Sequence, residues 1–70
     1  MLKKVYQLGM EAQYAAHVLL LWGEGEYPCD IRVRRAKTPG LIIIELENLE
    51  LANKIVTAIR CKVAVKEVKA

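Results

Sequence analysis

The sequence predicts an α+β two-layer sandwich in the order β-α-β-β-α-(β), an antiparallel sheet with two helices on one face. Three observations predict it. Ile31 to Ala36 and Leu41 to Glu47 read as two strands by their alternation, separated by Lys37-Thr38-Pro39-Gly40. That reads as a hairpin, because Pro-Gly at the centre of a turn suits type II, with glycine supplying the positive φ. Met10 to Trp22 is rich in the helix formers Ala12, Ala15, Ala16, Leu19, Leu20 and Leu21. Beyond Asn48, the residues Ala52, Ile55, Val56 and Ile59 recur at helical spacing. Helices placed around an antiparallel hairpin belong on one face of its sheet.

In chain order, Leu2 to Leu8 fits two periods: Val5, Tyr6 and Leu8 suit a strand, while Leu2, Val5, Tyr6 and Gly9 also suit a helix. A first strand is preferred, since Leu8-Gly9 then breaks the chain before the stronger helical segment. On the first helix, Met10 to Trp22, polar residues are few. Gln13, His17 and Glu24 fall at i, i+4 and i+11 and make one narrow wet stripe. Such a helix should be covered on two sides, by its own sheet and by something else. Gly23 to Pro28 is a loop by composition, and Pro28 disfavours helical geometry at Tyr27.

For the hairpin, Thr38 opposite Leu41 would make Arg34 face Glu45 and Arg32 face Glu47. A looser four-residue loop sets Arg32 opposite Glu45 instead. Either register puts Ile31, Val33, Ile42, Ile44 and Leu46 on one face, the expected core. Asn48 is the N-cap of the second helix, whose outer face carries Glu50, Asn53, Lys54, Thr57 and Arg60, with Glu50 and Lys54 a favourable i,i+4 pair. Val63 and Val65 alternate with Lys62, Ala64 and Lys66 as a last strand. No glycine or proline separates it from the helix, so helix continuation through Cys61, Val65 and Val68 competes. The whole is a split ferredoxin-like pattern.

Seventy residues make one small domain, 1–70, and a chain of this size buries only about 60% of its unfolded surface. Its 54% apolar content, counted with tyrosine, exceeds the roughly 45–50% of an average chain counted with glycine. Some of that surplus should meet a partner, and oligomerisation is the natural remedy for a domain this small without staples. The net charge of +3 is compatible with a nucleic-acid partner and does not demand one. Cys29 and Cys61 have no CxxC spacing, which reads as free thiols in a reducing, cytoplasmic setting. The apolar run after Lys3-Lys4 is broken by Gln7, Gly9, Glu11, Gln13 and His17, so neither a signal peptide nor a membrane span is expected.

The inventory for catalysis is thin. There is no serine, and Asp30 and His17 are single, so a Ser-His-Asp arrangement cannot be assembled. His17 could activate Cys29 or Cys61; the blander reading makes the cysteines small apolar fillers and His17 a surface or interface residue. A zinc site needs about four ligands, and these three residues lack motif spacing. Gly23-x-Gly25 carries Glu24 and Glu26 and leaves a helix where a phosphate loop would enter one. The expectation is no catalytic residue, no metal and no cofactor.

Arg32, Arg34, Arg35 and Lys37 are the RNA-contact candidates. Arg32 and Arg34 would project from the sheet face opposite the helices, with Arg35 and Lys37 near the hairpin tip. Cross-strand ion pairs with Glu45 or Glu47 are the competing use of those arginines. With no phenylalanine, and with Tyr6, Tyr14, Tyr27 and Trp22 outside the hairpin, base stacking on the central strands is not expected. Tyr14, Val18, Leu20, Leu21 and Trp22 are the interface candidates; Trp22 reads equally as core or as an aromatic anchor. Open sheet edges offer a further route to a dimer.

The layout, with the helix Glu11-Ala12-Gln13-Tyr14-Ala15-Ala16-His17-Val18-Leu19-Leu20, the hairpin Asp30 to Arg35 and Leu41 to Glu45, and the helix Asn48 to Arg60, resembles the small dimerising Pcc-type subunit of the archaeal KEOPS complex. Glu47-Asn48 stands near that family's acidic residue after the hairpin, and Asn53 is roughly placed for its helix asparagine. Its helix arginine has no counterpart. The resemblance implies a non-catalytic subunit that pairs with itself or a paralogue. Such a subunit docks on a larger catalytic partner making threonylcarbamoyladenosine in tRNA. The tail Cys61 to Val68 also looks like the last strand of a small archaeal and eukaryotic large-subunit ribosomal protein. A small ribosomal or other RNA-associated protein is thus one alternative. Another is a ferredoxin-like regulatory domain with a small molecule at a dimer interface near Gly23 to Pro28.

Overall fold

Glycine at position 9 does not end the first strand. In the computed structural model, which describes residues 2–69, β1 runs Leu2–Glu11, straight through Gly9. It is paired on both sides, to β3 (Leu41–Leu46) and to β4 (Lys62–Lys69). Gly9 sits opposite Ile43 on one side and Lys62 on the other. Two ladders outweigh the weak strand preference of one glycine. Met10 and Glu11, expected at the start of the first helix, therefore belong to β1, and Met10 is 3% exposed in the core. A 3-10 turn, Ala12–Tyr14, leads into α1, Ala15–Glu24.

The hairpin joins β2 (Ile31–Arg35) to β3. Leu41 N–H donates to the Thr38 carbonyl at 3.2 Å, and Gly40 has φ 85°. This is the type II turn that Pro39-Gly40 predicts. Its register sets Arg32 opposite Glu45 and Val33 opposite Ile44, the looser of the two loops. The Gly40 carbonyl also accepts from Ala12 N–H at 3.0 Å, tying the hairpin tip to the end of β1.

α2 spans Leu49–Ala58, and the Asn48 side chain caps it by accepting from Leu51 N–H at 2.9 Å. Ile59 returns to extended backbone, φ −131°, so the chain enters β4 as a strand and the helix does not continue. The sheet order is β2-β3-β1-β4 with every pair antiparallel. The architecture is the expected two-layer α+β sandwich.

Leu8, Met10, Val18, Ile44, Leu46, Leu51, Ala52, Ile55 and Ile59 form the core. On the helix side, apolar rows run from edge to edge of the sheet: Val33–Ile44–Leu8–Val63 and Ile31–Leu46–Tyr6–Val65. Burial is confined to the two central strands. Ile44 and Leu8 are 1% and 0% exposed, whereas Val33 and Val63 at the margins are 52% and 48%. Val33, expected in the core, has the right parity but lies on an edge strand beyond the helical cover. Ile31, on the same edge strand, is half-buried for the same reason, and Ile42, near the hairpin end of the central β3, is half-buried too. On α2 the inward line runs through Leu51, Ala52 and Ile55, leaving Val56, expected in the stripe, on its flank and 41% exposed.

Candidate nucleic-acid and partner-binding surfaces

Alternation along the strands puts Arg32 and Arg34 on the sheet face away from the helices, as expected, together with Val5, Gln7, Ile43, Glu45, Lys62, Ala64 and Lys66. Glu45 organises the middle of this face. Gln7 Nε2 donates to its Oε2 at 2.7 Å, and Arg34 Nε donates to its Oε1 at 3.3 Å. The Gln7 hydrogen bond first, then the hydrogen bond and charge of Arg34 and the charge of Lys66, hold the Glu45 carboxyl below its ordinary range. Arg34 thus takes the ion-pair role, reaching diagonally, since the residue directly opposite it is Ile43. Arg32, directly opposite Glu45, makes no ion pair among the described residues. Lys3 Nζ meets Glu47 Oε1 at 3.0 Å.

The four basic candidates do not converge. Arg35 ends β2 on the other parity and Lys37 stands in the exposed turn. What joins Arg32 on the open face is Lys62 and Lys66 of β4. Sequence reasoning missed these two because the existence of that strand was open; the Lys-Val alternation from Lys62 to Lys66 was the available signal. One end of this face carries a groove of about 250 Å³ lined by Lys3, Val5, Arg32, Glu47, Lys66 and Val68 among others. That is just under the roughly 300–1,000 Å³ of ordinary ligand sites. A neighbouring hollow at the loop is lined by Pro28, Cys29, Asp30, Glu47 and Asn48.

The interface candidates on α1 separate. Val18 is 0% exposed and belongs to the core, so it cannot present itself to a partner. It is the one fully buried side chain of α1. Tyr14, Leu21 and Trp22 are half-buried and pack on the core, with Trp22 Nε1 donating to the Cys29 carbonyl at 2.7 Å. Leu20 is 57% exposed, and its neighbour Leu19 is 49%. Val63 and Val65 on β4, 48% and 55% exposed, extend the apolar surface in a place the sequence reading did not assign.

Both cysteines are free and half-buried. Burial, then the charges of Asp30 and Glu47, pushes the Cys29 thiol up, and burial pushes Cys61 up. An activated thiolate needs the opposite shift. Among the described residues no group of three His, Cys, Asp or Glu stands as a metal site would require, and no helix is long and apolar enough to cross a membrane. α1 ends in a tight turn where Glu26 takes φ 51° and the Tyr27 ring lies against Gly25, so that a Cβ at Gly25 would collide with it.

No protein-family model matches the chain, and no curated protein matches it. Among solved structures, the de novo designed protein Foldit4 aligns over 99% of this chain and 97% of its own, at 10% identity and a TM-score of 0.49. A likeness of that size says nothing about function.

Proposed function

We propose that this chain is a non-catalytic subunit that dimerises and docks within an RNA-processing assembly, in the cytoplasm, with tRNA threonylcarbamoyladenosine modification as the process its resemblance to Pcc-type subunits indicates. The observation that carries the docking role is on α1, where the successive residues Leu19 and Leu20 stand about half exposed on a helix that buries only Val18. Two large exposed leucines on so small a domain suit a protein surface better than water. The RNA role is supported by Arg32, Lys62 and Lys66 on the open sheet face, where they would contact phosphates and read no bases.

Binding to bulk tRNA, followed against salt, tests this. Affinity should fall steeply as salt rises, because each phosphate contact releases counterions. Replacing Arg32, Lys62 and Lys66 together by alanine should flatten the log–log slope by about one unit per lost contact. Absence of binding at low salt would remove direct RNA contact and leave docking through α1 to be judged by partner binding.

A further inference from the structure

The two edge strands differ in whether they can pair with themselves. A second copy adding to the same edge in antiparallel fashion is related by a two-fold axis normal to the sheet, which keeps the helices of both copies on one face. Residues opposite each other across that axis then share a face, so each axis position can be examined for like charges, which destabilise when directly opposed.

On β2 the three inner axis positions all fail. An axis at Arg32 or at Arg34 sets that arginine against itself, and an axis at Val33 sets Arg32 against Arg34 twice. On β4 an axis at Ala64 sets Lys62 against Lys66, and an axis at Lys66 sets that lysine against itself. An axis at Val65 succeeds. Lys66 then faces Ala64 of the second copy, Lys62 faces Val68, Val63 faces Glu67, and Val65 meets Val65. With Lys66 it is one of the two axes nearest the middle of the strand, and so uses nearly its whole length.

The helix side supplies the reason to pair. The row Ile31–Leu46–Tyr6–Val65 now runs off the helical cover at Val65, which is 55% exposed. Across the axis it would continue into Val65–Tyr6–Leu46–Ile31 of the second copy, with Val63 diagonal to the partner valine. The exposed ends of both rows would be buried together, and the unpaired edge groups of β4 would be satisfied.

We infer that the β4 edge is the homodimer surface, with Val65 on the two-fold axis and one eight-stranded sheet running through both copies. This rests on the dimeric part of the proposed function and names its interface. An edge-strand contact falls near the lower end of stable interfaces, below about 1,200 Å² in total, so exchange in the micromolar range is expected.

Sedimentation velocity across that range tests it on the full chain, comparing Val65→Lys with Val33→Lys, which changes an equally exposed valine on the other edge. Val65→Lys should raise the dimer dissociation constant at least about tenfold, a change of about 1.4 kcal/mol, while Val33→Lys leaves it unchanged. Circular dichroism melts establish that both variants fold. In the wild-type chain, amide exchange at residues 62–68 should slow with rising concentration while β2 does not respond, which decides the matter even if Val65→Lys unfolds. A Val65→Lys protein that is folded and dimeric like the wild type overturns the β4 assignment and leaves dimerisation standing. A wild-type chain that stays monomeric overturns both, and leaves the tRNA readout to judge the RNA role.

Discussion

α1 and α2 are each ten residues long and lie on the same face of the sheet, yet α2 buries Leu51, Ala52 and Ile55 while α1 buries only Val18. α1 is the greasier of the two, with an almost unbroken run from Ala15 to Trp22 interrupted by His17. The difference is one of spacing. Successive helical residues turn by about 100°, so a continuous run wraps its apolar surface around the whole cylinder and only one line of it meets the sheet. Residues spaced by three and four, as Leu51, Ala52 and Ile55 on α2, fall on one line that meets the core, while Leu49 and Val56 of the same helix stay exposed off it. α2 is also held at its start by Asn48, whereas α1 has no side-chain cap and enters through a 3-10 turn. Apolar content thus measures what a helix could bury; spacing measures what it does bury.

The largest test of this contrast is a pair of core truncations. Ile55→Ala should cost about 2–5 kcal/mol through lost burial and a cavity, and Val18→Ala about 2 kcal/mol, read by urea denaturation at one protein concentration. A Val18→Ala loss exceeding that of Ile55→Ala would break the comparison, because α1 would then be anchored as firmly as α2. Asn48→Ala comes next, at about 1 kcal/mol, since Leu51 N–H loses its acceptor. Smallest of all, Leu19→Gln and Leu20→Gln should each change the stability of the isolated domain by no more than about 0.5 kcal/mol, while weakening partner docking. A large destabilisation by either would show that α1 packs on its own domain through those leucines.

Much of the fold was legible locally. The type II turn follows from Pro39-Gly40, the cap from Asn48, and the parity of the hairpin from its alternation, because each depends on residues within a few positions of one another. What was not legible depended on distant partners. Gly9 reads as a break until β3 and β4 are seen to clamp it from both sides, and Met10 reads as helix until it is seen facing the core from β1. Val33 and Val56 have the right periodicity, but periodicity reports which way a side chain points and not how far the opposing layer extends. Of the surface residues, Arg32 and Arg34 were placed correctly by alternation. Lys62 and Lys66 were missed as their companions because a continued helix competed with β4 over those residues, and it is the long-range β1–β4 ladder that puts them on the open face.

The sheet order also sets a timetable for folding. The β2–β3 hairpin pairs Arg35 with Ile42, a short loop, whereas the β1–β4 ladder pairs Gly9 with Lys62 and Leu2 with Lys69, nearly the length of the chain apart. Loop closure favours the near pair first, and contacts of high sequence separation slow the whole process. Seating β4 is then the late event, and until it happens β1 carries an open edge of its own beside Leu8 and Tyr6. A nascent chain still short of Lys62 would expose that edge for as long as its synthesis takes.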